Sequence, residues 1–165
     1  MRFVSILMAS KSDFEVMHEC AKTLEKFGVK HEILVTSAHR SPERTKQYVK
    51  EAESRGVQVF VVAEGMAAHL AGAVAALTTR PVIGVPLDAS PLQGVDALLS
   101  TVQMPSGIPV GTRAIGAVGA TNGAFLAMQI LALEDAELDA KLKEDRILKA
   151  KKVEADSEDI ELRLT

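Results

Sequence analysis

The residue types best suited to chemistry are concentrated in one short segment, residues 36–42. His39 can exchange a proton near neutral pH, the adjacent Arg40 can hold a phosphate or carboxylate through paired hydrogen bonds, and Ser37 adds a hydroxyl. The segment follows the apolar run at residues 33–35 and precedes a polar, helix-like sequence, which predicts a turn between a strand and a helix. Because ligands of open α/β sheets bind at the carboxyl ends of the strands, the pattern indicates a site for proton transfer and anion binding.

Ser41 and Pro42 at the end of this segment have a purely structural explanation. A serine followed by proline is a common helix start, with the serine as the N-cap and the proline at the first helical position. A helix start requires neither His39 nor Arg40, so this pair remains a candidate for function.

A second predicted turn carries Ser10, Ser12 and Asp13, which follow a predicted strand at residues 3–8. The turn precedes a helix, and the amides of a helix N-terminus together with two hydroxyls can hold a phosphate. Ser12 or Asp13 could equally do no more than cap that helix. The pattern by itself leaves both interpretations open.

A third predicted turn, residues 63–72, contains Glu64 and His69 among small residues such as Gly65. Small residues allow a ligand or another backbone segment to approach closely. His69 has two open interpretations, because a histidine in the first turn of a packed helix often only hydrogen-bonds a neighbouring carbonyl.

These turns require a scaffold, and the apolar pattern predicts one of alternating strands and helices. Strands are predicted at residues 3–8, 30–35, 57–63, 81–86 and 112–118. Strand–helix repeats of this kind favour a parallel, doubly wound α/β sheet. Residues 1–133 are interpreted as one domain and residues 134–165 as a C-terminal helix with a charged tail. Residues 124–133 are apolar on nearly every side, which indicates that a neighbouring subunit covers this helix.

Composition excludes several classes of protein. The 165 residues carry a formal net charge of −3 with scattered basic residues, which argues against nucleic-acid binding. Cys20 is the only cysteine, so neither a disulfide framework nor a cysteine-based metal site can form within one chain. No apolar run reaches the length of a membrane span, so a cytoplasmic protein without a membrane partner is expected.

Several stretches, in order along the chain, resemble the PurE-type N5-carboxyaminoimidazole ribonucleotide mutases of purine biosynthesis. They are SKSD at 10–13, SAHRSP at 37–42, AAHL at 67–70, PVIGVP at 81–86, LLS at 98–100, QMP at 103–105 and GIPV at 107–110. The resemblance implies a flavodoxin-like three-layer α/β/α fold with a central parallel sheet. It also implies a homo-octamer with active sites shared between subunits, and a reaction that needs neither metal nor cofactor.

The resemblance further implies roles for individual residues. The implied reaction moves a carboxylate from the exocyclic nitrogen of an imidazole ribonucleotide to ring carbon C4, with His39 as the proton-transfer residue. The 5′-phosphate would be held by Ser10, Ser12 and Arg40, and the ribose hydroxyls by Asp13. The other substrate contacts implied are Ser37, Ala38, Gly65, Ala67, His69 and Leu70.

The chain also departs from the family pattern, most notably at Glu64. Glu64 and Met66 interrupt what is in the family a run of alanine and glycine, Ala71 replaces a proline, and Ala9 replaces a glycine. A Glu64 carboxylate directed into the pocket would repel an anionic substrate. Directed away, it could pair with Arg80 or Arg113 without consequence for the chemistry.

Two rival functions remain on the sequence alone. Related carboxylases of this fold use unmodified aminoimidazole ribonucleotide and free CO2, but they tend to carry lysine after the histidine and to lack the AAHL stretch. Arg40 and residues 67–70 therefore favour the mutase. The other rival is a module that binds a ribonucleotide phosphate without turning it over, since a fold does not determine a function.

Overall fold

The computed structural model describes residues 2–162. Four parallel strands form the sheet in the order β2-β1-β3-β4, with β1 at Phe3–Met8, β2 at His31–Val35, β3 at Val57–Gly65 and β4 at Val82–Leu87. The flavodoxin-like α/β fold with a parallel central sheet is confirmed. These four strands lie within two residues of the bounds that the sequence predicts.

Helices alternate with the strands, as predicted. A 3₁₀ turn at Lys11–Asp13 leads into α1 at Phe14–Lys26, and the later helices are α2 at Pro42–Arg55, α3 at Leu70–Ala75, α4 at Val95–Val102, α5 at Ala117–Ala132 and α6 at Ala136–Ile160. The chain divides into two compact units, one ending at Met128 and the other beginning at Gln129. The predicted tail is helical as far as Ile160, and residues 163–165 lie outside the described part.

The core of the first unit surrounds β1 and β3. Every residue of β1 is buried, and Leu7, Phe60 and Leu70 are 0% exposed. Strands that are buried on both faces need continuous apolar sequence, and residues 57–63 provide it. The strand registers pair Met8 with both Val35 and Ala63, so the carboxyl ends of three strands are level. The turns that follow them open at one edge of the sheet.

The predicted fifth strand at residues 112–118 is wrong. The segment lies beside β4 with Gly111 N donating to Val82 O, Arg113 N to Gly84 O and Gly116 N to Pro86 O, at 2.8–2.9 Å. Successive donors along this segment are two and then three residues apart. Successive acceptors along β4 are two residues apart each time. The extra residue breaks the ladder, so no regular strand forms there, and α5 begins at Ala117.

No helix among residues 2–162 is long and apolar enough to span a membrane. The most apolar long helix, α5, contains Gly123 and Ala124, both buried in the first unit.

Candidate active site

Hydrogen bonds within the turn after β2 hold His39 and Arg40 toward solvent. Ser41 Oγ accepts from Ser37 N at 3.0 Å and donates to Ser37 O at 3.1 Å, while Ser37 Oγ accepts from Arg40 N at 3.0 Å. Ser41 is the N-cap residue and Pro42 the first helical residue, as predicted. The Ser41 side chain does not cap the helix, however, because it closes the turn instead. The turn is thus internally braced, and its two central side chains are left exposed.

His39 meets His69 across the edge of the sheet. His39 Nε2 lies 3.1 Å from His69 Nδ1, and the centroids of the two rings are 4.9 Å apart. The His39 side chain is 52% exposed, so a ligand can reach it. The Nδ1 contact of His69 is therefore with another imidazole rather than with a neighbouring carbonyl. The fold brings together two histidines that are 30 residues apart in sequence.

Glu64 contacts both members of this histidine pair. Its side chain is only 10% exposed, and Oε2 accepts from His69 N at 2.6 Å and from Leu70 N at 2.5 Å. The other oxygen, Oε1, lies 3.9 Å from His39 Nδ1. Of the two sequence-based alternatives, the carboxylate is directed toward the site, and two amides at the start of α3 stabilise it there.

The first turn forms a capping box. Ser10 Oγ accepts from Ser12 N at 3.3 Å and from Ser12 Oγ at 2.9 Å, and Asp13 Oδ2 accepts from Ser10 N at 3.1 Å. The capping interpretation therefore holds for Asp13, whereas the N-cap residue is Ser10 rather than Ser12. Such a contact does not prevent the exposed Ser12 hydroxyl from also meeting a ligand.

Electrostatics connects this first turn with Glu64. Burial raises the pKa of Asp13 above its ordinary value, the hydrogen bond from Ser10 N lowers it, and the negative charge of Glu64 raises it again. The negative charge of Glu64 thus opposes the ionisation of Asp13 at this edge. A cationic or hydrogen-bond-donating group of a ligand placed there would relieve this repulsion.

The other residues singled out from the sequence are placed differently. Arg40 and Ala67 are exposed and Ala38 is half-buried, whereas the Leu70 side chain is fully buried in the core. Gly65 has a packing explanation that the sequence did not reveal. A Cβ at Gly65 would lie 2.4 Å from Ala89 Cβ, so glycine is needed because the loop after β4 passes so close.

Met66 is a further unusual residue at this edge. Its backbone has a φ of 57°, a left-handed conformation that is costly for residues other than glycine, asparagine and aspartate. Its side chain is 59% exposed, which leaves a thioether at the surface next to the site. No group of three or more His, Cys, Asp or Glu side chains within residues 2–162 is arranged to hold a metal ion.

The chain is similar to known proteins over most of its length. A family model described as AIR carboxylase matches residues 3–152. The N5-carboxyaminoimidazole ribonucleotide mutase of Pyrococcus horikoshii is 53% identical over 140 residues, covering 85% of this chain and 78% of that protein. The Escherichia coli K12 protein of the same name is 50% identical over 143 residues, covering 87% and 85%. The crystal structure of Treponema denticola PurE superposes with a TM-score of 0.89 at 28% identity, covering 98% of this chain and all of that one.

Proposed function

Because this chain belongs to the AIR carboxylase family, we propose that it is an N5-carboxyaminoimidazole ribonucleotide mutase of purine biosynthesis, an isomerase. Two relatives that bear this name match about half of the aligned residues, and each alignment covers more than three quarters of both proteins. Arg40 and the AAHL stretch at residues 67–70 agree with the mutase pattern rather than with the related carboxylases.

The observation that carries the proposal is the half-exposed His39 imidazole at the carboxyl edge of the sheet. Its side chain is 52% exposed and its Nε2 lies 3.1 Å from His69 Nδ1, so a substrate bound at this edge can reach the ring. An imidazole can donate and accept protons near neutral pH, which suits a reaction that needs both events in succession.

The reaction requires no net change in atoms. Protonated His39 donates a proton to the exocyclic nitrogen as its bond to the carboxylate carbon breaks, which releases CO2 and leaves the neutral amine. The electron-rich ring carbon C4 then attacks CO2 and forms the new C–C bond. Neutral His39 removes the proton from C4, which restores the aromatic ring and returns the histidine to its starting form. Confining CO2 beside C4 favours recapture over escape.

Substrate binding is proposed for the turns that surround His39. Ser10, Ser12 and Arg40 would hold the 5′-phosphate, for which a guanidinium and exposed hydroxyls are suitable donors. Asp13 would accept hydrogen bonds from the ribose hydroxyls. The walls of the small CO2 pocket are assigned to Gly65, Ala67, Ala68 and Leu70. The remaining proposed substrate contacts are Ser37, Ala38 and His69.

A cytoplasmic homo-octamer with shared active sites is part of the proposal. Within the first unit, α4 and the loop before it expose a row of large apolar side chains: Leu92, Val95, Leu99 and Val102. Leu99 is 53% exposed, and such a row is typical of surfaces that pack against another chain. The C-terminal helix α6 is proposed to pack on a neighbouring subunit, with residues 134–165 forming the second part of the chain. Sedimentation analysis of the purified protein tests the assembly.

Transfer of an isotopic label tests the activity. The substrate carries ¹³C in its carboxylate, the buffer contains unlabelled bicarbonate, and mass spectrometry follows the ring-carboxylated product. We expect the product to retain the label because CO2 is captured before it exchanges. Product without label would identify a carboxylase that uses free CO2. Binding without any product would identify a module that does not catalyse the reaction.

A further inference from the structure

Glu64 is not assigned a part in the proposed chemistry, yet its carboxylate lies in contact distance of the proton-transfer residue. We propose that Glu64 is a positioning residue that holds neutral His39 as the Nδ1–H tautomer and so reserves Nε2 for proton exchange with the substrate. The inference rests on the proposed function for the consequences in turnover, but the tautomer itself can be measured without substrate.

The carboxylate is rigidly placed. Oε2 accepts from two consecutive backbone amides, those of His69 and Leu70, and the side chain is only 10% exposed. Two short hydrogen bonds hold Oε2 at the start of α3, and Oε1 lies on the side of the carboxylate that faces His39. The amides are neutral dipoles, and they leave the negative charge of Glu64 available to other groups.

The charge acts on one particular ring nitrogen. Oε1 lies 3.9 Å from His39 Nδ1, within the range of an ion pair though longer than a hydrogen bond. Catalytic hydrogen bonds are often long before the substrate binds and shorten in the complex. An acceptor-only group on this side favours a hydrogen on Nδ1 in the neutral ring, because an ionised carboxylate cannot donate to a nitrogen lone pair.

The tautomer of His39 determines the tautomer of His69. If His39 carries its hydrogen on Nδ1, then Nε2 is an acceptor, and the 3.1 Å contact requires His69 Nδ1 to be the donor. Glu64, His39 and His69 thus form one directed chain in which each neutral imidazole has a defined tautomer. A substrate that displaces the His69 contact would meet a basic Nε2 on His39.

The two substitutions Glu64→Gln and Glu64→Ala separate this role from simple helix capping. In Glu64→Gln the amide oxygen can keep the contacts with His69 N and Leu70 N, but the NH2 group then faces His39 Nδ1 and donates to it. The hydrogen of His39 is driven to Nε2. Glu64→Ala removes the bias without reversing it. We therefore expect kcat to fall about tenfold or more in Glu64→Gln and less in Glu64→Ala, with KM nearly unchanged in both.

The ring nitrogens report the tautomer directly. Long-range ¹H–¹⁵N spectra of protein labelled with ¹⁵N-histidine, recorded without substrate at a pH of about 8.5, distinguish Nδ1–H from Nε2–H forms. The His39 signals are assigned by their loss in His39→Asn. We expect the Nδ1–H form in the natural sequence, the Nε2–H form in Glu64→Gln and a mixture in Glu64→Ala.

Two results would overturn the proposal. One is an unchanged His39 tautomer in Glu64→Gln. The other is the reverse order of kcat, with Glu64→Ala impaired and Glu64→Gln normal, since a mere helix-capping role predicts that order. Glu25→Gln, which removes an exposed carboxylate of α1, serves as the matched control and should change neither quantity. If the natural sequence shows the expected tautomer but no turnover, the proposed function fails while the assignment of Glu64 stands.

Discussion

Two partly buried glutamates of the first unit differ in the groups that hydrogen-bond their carboxylates. Glu64, at the carboxyl edge of the sheet, is bound by two uncharged backbone amides and faces a histidine. Glu32, in the edge strand β2, is bound by a cation, because Arg55 donates to both of its oxygens at 2.7 and 2.8 Å. The charge of Glu32 is compensated within the fold, whereas that of Glu64 remains available to act on His39. The surroundings of a carboxylate thus distinguish stabilising roles from positioning ones.

The network around Glu32 extends into the core. Tyr48 OH donates to Glu32 Oε1 at 2.5 Å and also lies 2.5 Å from Ser5 Oγ, and Ser5 is 0% exposed. The Arg55 guanidinium lies 5.1 Å from the centroid of the Phe3 ring, on which it can stack. Each polar group of this set has a partner in another element, so the set joins β1, β2 and α2. Changes there should affect stability, and changes at the carboxyl edge should affect turnover.

The largest effect is expected from His39→Asn. Loss of the proton-transfer group should lower kcat by about 10²- to 10⁴-fold, the usual contribution of general acid–base catalysis. Substrate affinity and the melting temperature should change little because the side chain is half-exposed. Steady-state kinetics, calorimetric binding and thermal unfolding measure the three quantities. A variant with normal kcat would remove His39 from the mechanism and end the contrast between the two glutamates.

Arg40→Ala should act on binding rather than on the chemical step. A charge-assisted hydrogen bond contributes about 1.5–3 kcal/mol, so the substrate dissociation constant should rise by about 10- to 150-fold. The exposed Arg44→Ala, on the first turn of α2, is the matched control for loss of one positive charge. Equal weakening in both variants would indicate a diffuse electrostatic effect and not a phosphate contact at Arg40.

Tyr48→Phe tests whether the network around Glu32 contributes to stability and not to turnover. Removing the hydroxyl leaves buried Ser5 without its partner and Glu32 with one donor fewer, so the free energy of unfolding should fall by about 1–2 kcal/mol. Urea denaturation followed by circular dichroism measures this change. kcat should stay within about twofold of its original value, as expected for a group that touches no reacting atom. A large loss of kcat without loss of stability would contradict the division between the two regions.

The smallest expected effect is a pH dependence of stability. Hydrogen bonds from Arg55 lower the pKa of Glu32, partial burial raises it, and the hydrogen bond from Tyr48 lowers it further. Because the folded-state pKa lies below the unfolded one, the contribution of Glu32 is complete above about pH 4.5 and is lost as the pH falls through the folded-state pKa.

Glu32→Gln provides the measurement. The difference in unfolding free energy between this variant and the natural sequence should be largest near neutral pH and shrink progressively below about pH 4. It should be well under 1.5 kcal/mol, since Glu32 and Arg55 are 32% and 41% exposed. A difference that grows toward acid would reverse the assigned direction of the pKa shift.

Local patterns in the sequence determined much of this protein. Apolar runs and turn residues predicted four of the strands, the start of α2 at Pro42 and the turn that carries His39 and Arg40, since each depends on residues close together in the chain. The seven contiguous motifs between residues 10 and 110, taken in order, indicated the family. The individual roles within the site remain predictions.

Only the tertiary structure decided how distant segments meet. The approach of Glu64 to His39, the contact of His39 with His69 and the need for Gly65 beside Ala89 all join turns that are 24 or more residues apart. The sequence placed residues 117 and 118 in the predicted fifth strand and the helix at residues 124–133, whereas α5 begins at Ala117. A Cβ at Gly119 would lie 1.7 Å from Ala114 O, so close packing and not local propensity requires glycine there. Propensity is a property of neighbours in sequence, whereas packing and electrostatics depend on neighbours in space.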